Sequence, residues 1–167
     1  FYYIDRWSSI WTWGGLGTPL KDEFIVITEG QTILLDVSTP VLAFLLIKGG
    51  TLMFDSENTF IELQSKYILL VEGGKLQIGS EEVPYPPESK AIITMHGNVR
   101  CTEMPVFGCK CIGVRNGTLD FHGEYRDVTW THLAETASAG DTDIVLKQPV
   151  DWRVGDHIAI ATTSDRS

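Results

Sequence analysis

The sequence predicts an all-β protein folded as a stacked, β-helix-like coil of short strands with an antiparallel cap; a β-sandwich or β-roll is the alternative. The first observation behind this is a phrase that recurs three times: IKGGTLMF at 47–54, VEGGKLQI at 71–78 and VRNGTLDF at 114–121. Each copy places an apolar and a charged residue before Gly-Gly or Asn-Gly, then Leu at the second position after the pair. Gly and Asn tolerate the left-handed backbone, so these pairs turn the chain without steric cost. The second observation is spacing. With weaker copies at Gly30 and Gly97, the markers Gly30, Gly49, Gly73, Gly97 and Asn116 lie 19, 24, 24 and 19 residues apart, the signature of a repeat architecture. The third is that no segment before residue 130 carries helical periodicity. A sandwich would place turn signals every ~8–12 residues, and the chain has some of those as well.

Residues 1–23 form an aromatic and glycine-rich lead-in or cap, with Trp7, Trp11 and Trp13 ahead of Gly14, Gly15 and Gly17. On a strand, Trp11 and Trp13 would share one face and close the end of a core as an apolar lid, the alternative being a row for stacking sugar rings. Residues 24–124 form the repeat core. Strands are predicted at 24–27, 32–37, 41–47, 60–63, 67–71, 91–95 and 111–114, each apolar and rich in β-branched residues between Gly, Pro and Asp. Near-continuous apolar runs suit parallel strands or strands buried on both faces. The segment 81–88 carries Pro84, Pro86 and Pro87 and must leave the ladder as an excursion loop. Residues 125–167 form an additional β segment, with strands predicted at 128–131, 142–146 and 157–161. The structural turns are assigned to Gly30, Gly49, Gly50, Gly73, Gly74, Gly97 and Gly117, so that Leu52, Leu76 and Leu119 stack inside one corner.

Among 167 residues, 43% are hydrophobic and 21% charged, the composition of a globular chain with a real core. The net charge of −9 gives no electrostatic footprint for nucleic acid or anionic membranes. No run reaches the ~20 apolar residues of a membrane helix, and the chain reads as a piece of something longer. Cys101, Cys109 and Cys111 do not have the ligand number of a zinc site. They suggest either a disulfide from Cys101 to Cys109 or Cys111, or three reduced thiols. Asn116-Gly117-Thr118 is a glycosylation sequon on a predicted turn.

Taken together, GQTILLDVSTPVLAFLLIKGGTLMF, EGGKLQIGSEE, KAIITMHGN and NGTLDFHG followed by TWTHL resemble the G-eight domain. That extracellular module occurs in fibrocystin and fibrocystin-like proteins, and in the cell migration-inducing hyaluronan-binding protein and its transmembrane relative. The likeness covers 13–131, and VDWRVGDHIAIATT is most similar to the fibrocystin branch. It implies a β-helix-like ectodomain module of a large cell-surface glycoprotein receptor, cilium included among its settings, that is either secreted or held by a single membrane pass.

Some relatives in that group are linked to hyaluronan binding and depolymerisation. The residues here offer little for catalysis. Glycoside hydrolysis commonly needs two carboxylates at a set separation, and with 22 acidic residues pairs such as Asp22-Glu23 and Glu81-Glu82 arise freely. His96 and His122, each followed by Gly, could stack two imidazoles on neighbouring rungs or be satisfied by local hydrogen bonds. Lys48, Lys75 and Arg115 flank the three turns, but Glu72 takes the place equivalent to Lys48 and Arg115, leaving a mixed ladder. No catalytic residue, metal ligand or cofactor is expected, calcium included, since no EF-hand order is present. The expectation is a non-catalytic structural and interaction module with an extracellular protein or glycan ligand. Part of a hyaluronan-binding or hyaluronan-depolymerising ectodomain is the alternative.

Overall fold

The computed structural model describes residues 3–161. Phe1 and Tyr2 of the predicted lead-in, and 162–167 of the predicted C-terminal segment, lie outside the described residues. The chain divides into two compact units, one up to Glu124 and one from Tyr125.

The first unit is a coil of parallel strands, built in rungs around three faces. Its strands are β1 (Asp5–Arg6), β2 (Phe24–Thr28), β3 (Thr32–Leu35), β4 (Phe44–Lys48), β5 (Thr51–Phe54), β6 (Phe60–Ser65), β7 (Tyr67–Ile78), β8 (Lys90–Met95) and β9 (Cys111–Phe121). The first face stacks β2, β4 and the leading halves of β7 and β9. The second stacks β1, β3, β5 and the trailing halves of β7 and β9. The third stacks β6 and β8, and the bridge from Leu42 to Ser65 adds the first rung there. Every pairing between named strands is parallel. The nearly all-β, β-helix-like reading of the sequence is thus the one observed.

Burial follows the strand period of two. In β2 the pattern alternates outward Phe24, Val26 and Thr28 with inward Ile25 and Ile27. The apolar runs are therefore parallel but not buried on both faces. Outward Phe24, Phe44 and Tyr67 instead stack ring on ring at 5.0 and 5.8 Å. Inward residues form columns through the rungs, among them Ile27–Ile47–Leu70–Val114 and Ile33–Leu52–Leu76–Leu119. Each fully buried aliphatic side chain contributes about 1.5–3 kcal/mol.

The corner between the first and second faces carries the repeated phrase. Gly49, Gly73 and Asn116 all have positive φ, at 75°, 86° and 58°. The following glycines serve a separate need. A Cβ on Gly50 would run into the Thr28 carbonyl, one on Gly74 into the Ile47 carbonyl, and one on Gly117 would lie 2.8 Å from the Gly74 carbonyl. These corners stack backbone directly on backbone.

Three expectations are corrected here. Gly97 lies beyond β8, off this corner and without positive φ, so the 24-residue step from Gly73 to Gly97 joins two different places in the coil. Glu72 is not the equivalent of Lys48 and Arg115: Val71 pairs with both, and Glu72 is an extra residue in a register shift between Val71 and Gly74. It takes φ of 52° to be accommodated, as a β-bulge does. The lid is also built differently. Residues Ile10–Trp13 form a 3-10 turn rather than a strand. Trp7 is buried at 1% exposure, Trp13 packs on it edge-to-face at 4.8 Å and donates its indole N–H to the Trp7 carbonyl, and Trp11 is 80% exposed.

In the second unit the predicted strands at 128–131, 142–146 and 157–161 form no ladder among the described residues. One antiparallel bridge, Leu133 to Leu146, marks the hairpin-like contact, and the Trp152 indole N–H donates to the Val128 carbonyl at 2.5 Å. Around that bridge Ala134 N–H donates to the Val145 carbonyl at 2.7 Å and Lys147 N–H to the His132 carbonyl at 3.0 Å, a pairing too short to make a ladder.

Candidate functional site

Of the polar groups singled out by the sequence, Lys48, Lys75 and His96 bond across rungs. Lys48 of the second rung approaches Glu72 of the third at 3.5 Å. Lys75 Nζ lies 2.5 Å from Asp120 Oδ2 on the rung above, and His122 Nε2 donates to Asp120 Oδ1 at 2.7 Å. The Lys75 hydrogen bond, with His122 adding to it, holds the Asp120 carboxyl below the ordinary carboxylate range against partial desolvation. Lys66 similarly binds Asp22 at 2.6 Å and lowers its carboxyl.

His96 is elsewhere, at the end of the third face. Gln64 donates its amide to the Thr39 carbonyl at 3.1 Å, leaving Gln64 Oε1 to accept from His96 Nε2 at 3.0 Å. The two histidines therefore end different faces and do not stack; each has the local hydrogen bond that was the alternative. Alongside, Thr94 Oγ1 donates to Glu62 Oε1. Among the described residues no group of three or more His, Cys, Asp and Glu could hold a metal ion, and no buried side-chain nitrogen or oxygen lacks a partner.

Cys101 and Cys109 sit on the 96–110 excursion, and Cys111 opens β9. Cys101 is joined to Cys109, leaving Cys111 as a half-buried thiol whose pKa is raised by desolvation. The closed loop lies on the first face: the Tyr67 hydroxyl donates to the Thr102 carbonyl. Phe107 covers Gly113, where a Cβ would lie 3.0 Å from its ring. Asn116 and Thr118 of the sequon are exposed on the corner. The other excursion is anchored by Tyr85, buried at 6%, which donates its hydroxyl to the Asp55 carbonyl at 3.1 Å and its N–H to the His122 carbonyl at 2.7 Å. Beside this anchor a cleft of about 430 Å³ runs between β8 and the end of β9.

The sequence reading missed the Phe24–Phe44–Tyr67 stack, although all three open strands of the first face and aligning those strands would have found it. It also missed the cleft, for which no sequence signal exists.

The sequence that builds this coil matches a known module. The G8 domain family model matches residues 12–134. The chain belongs to the G8 domain family. It is 52% identical to human Fibrocystin-L over 99% of the chain, and 41% identical to dog Fibrocystin over 93%. Mouse Fibrocystin is 40% identical over 97% of the chain. The chain spans about 4% of the length of these relatives. No solved structure matches it. Among the described residues of this G8 domain, no helix is long and apolar enough to cross a membrane.

Proposed function

We propose that this G8 domain is a non-catalytic structural and interaction module in the extracellular part of a large fibrocystin-like cell-surface protein. The observation that carries the reading is the use made of its polar groups. Lys48, Lys75, Gln64, His96 and Asp120 bond one rung to the next, and His122 braces Asp120 from two residues further along, which is what a rigid spacer requires. A reacting centre would need groups converging on a common point in a cleft. The Cys101–Cys109 link suits an oxidising compartment, and the exposed Asn116 sequon suits passage through the secretory route.

The rival reading, hyaluronan binding or depolymerisation, meets an electrostatic obstacle. Hyaluronan is a polyanion, the domain carries −9, and two of the three corner cations face carboxylates. Incubating the domain with hyaluronan should leave its chain length unchanged, with no salt-sensitive binding. Depolymerisation would sink the non-catalytic reading. In the same preparation from secretory cells, a glycosidase should shift the wild-type band and not that of Asn116→Gln; an unshifted wild type would remove the glycan.

A further inference from the structure

We propose that the 96–110 excursion is a redox-opened cover: the Cys101–Cys109 crosslink holds it over the Cys111 thiol, and reducing that crosslink unmasks the thiol for reaction. Every contact involved lies within the first unit, and none depends on the interaction-module reading.

The excursion folds back on the strand that it leads into. Cys111 pairs with Tyr67, so it continues the outward column begun by Phe24, Phe44 and Tyr67. The loop meets this part of the first face three times. The Tyr67 hydroxyl donates to the Thr102 carbonyl, the Cys111 thiol donates to the Gly108 carbonyl at 3.7 Å, and the Phe107 ring lies over Gly113, two residues along β9. Thr102 and Gly108 are the immediate neighbours of the two crosslinked cysteines. The crosslink thus stands beside the contact over Tyr67 and the contact over Cys111, and cutting it frees both.

The loop also has a reason to open once it is cut. Its tip is a tight turn: Phe107 and Gly108 N–H both donate to the Met104 carbonyl, at 3.1 and 2.8 Å, and Met104 N–H donates to the Gly108 carbonyl at 2.7 Å. Val106 stands in this turn at φ of 73°, a conformation that suits glycine and strains a β-branched residue. Val106 is 99% exposed, so its side chain gains no packing from the loop in return. Lys110, between Cys109 and Cys111, is held at φ of 54°. Such angles persist only where the surroundings over-determine them, and the crosslink between residues eight apart is the constraint here.

Opening needs one class of reagent, a dithiol. It gives two electrons and two protons to the crosslink, so that Cys101 and Cys109 become thiols while the reagent closes to its own disulfide. Cys111 takes no part in that step. Under the cover it is a poor nucleophile, because desolvation raises its pKa and the thiolate is the reacting form. With the loop displaced, water reaches the sulfur and the thiolate becomes accessible.

The sequence has three cysteines, so Cys111 is the one free thiol of the oxidised chain and its alkylation by iodoacetamide is read without interference. A variant carrying Cys101→Ser and Cys109→Ser keeps Cys111 and cannot close the crosslink. Its Cys111 should react about fivefold faster or more, with amide protection at Leu69 and Leu70 of β7 unchanged. Adding Val106→Gly to that variant should slow the reaction again, since the closed turn is then unstrained. In the wild type, dithiol treatment followed by alkylation and peptide mapping should show the same acceleration at Cys111, which reads the device even where the double variant does not fold. Equal rates with and without the crosslink, a rate that Val106→Gly leaves unchanged, or acceleration accompanied by lost protection in β7 would each overturn the proposal. The hyaluronan result bears on none of these outcomes, so the two readings can fail separately.

Discussion

At Gly73 and Gly74 two adjacent glycines answer two different steric demands. Gly73 has φ of 86° with open space around its missing Cβ, whereas Gly74 has an ordinary φ and a Cβ position occupied by the Ile47 carbonyl. Asn116 shows that the first position accepts a side chain that tolerates the left-handed region, since Gly117 pairs with Gly74. Gly73→Asn should consequently cost less than about 1 kcal/mol and Gly73→Val about 1–2 kcal/mol. Gly74→Ala should cost about 1–3 kcal/mol or more, because backbone must move. Urea unfolding of the three variants checks the order; a Gly74→Ala as mild as Gly73→Asn would contradict the close-approach account. The sequence announced glycines here, but one motif concealed both reasons, because only stacking brings Ile47 over Gly74.

At the scale of elements, β7 and β9 each pass through the corner as one strand and touch both faces. Their trailing halves are tied by Lys75–Asp120–His122. Because the Asp120 carboxyl is held below its ordinary range in the fold, its ionised form binds better folded than unfolded. That stabilisation is present above the ordinary carboxylate range and is lost as pH falls through the lowered value. Thermal midpoints measured from about pH 5 to pH 3 should fall more steeply for the wild type than for Asp120→Asn; equal slopes would remove the coupling. Positions 75, 120 and 122 were visible as charged or imidazole residues, but the 45-residue gap from Lys75 to Asp120 hides their adjacency. Two excursions, 79–89 and 96–110, lengthen that rung, and only the coil brings its ends together.

At the scale of the whole described unit, the coil is closed at its N-terminal end by Trp7 and Trp13 and progressively exposed toward β9. In the column Ile33–Leu52–Leu76–Leu119, the first three residues are 1%, 0% and 0% exposed, and Leu119 is 41% exposed. Val114 reaches 38% where Leu70 beneath it is at 0%. Leu76→Ala should therefore cost about 2–5 kcal/mol, and Leu119→Ala well under half of that despite sharing the same phrase and column. Denaturant midpoints decide this, and equal losses would mean that the fourth rung is as covered as the third.

The repeated phrase, the strand period and the proline-bearing excursion together determined that the chain would be a parallel coil with a glycine corner. Each of these is a local demand, namely a backbone angle, an alternation of burial or a missing N–H, and such demands are written in consecutive residues. What the tertiary structure alone decided is which rung lies on which. It made Glu72 a bulge, moved Gly97 off the corner and separated His96 from His122. Those outcomes depend on how many residues leave the coil between strands, and loops of very different length close at nearly the same free-energy cost. The corner glycines thus identify the G8 domain, while the order in which its rungs stack is announced by no motif.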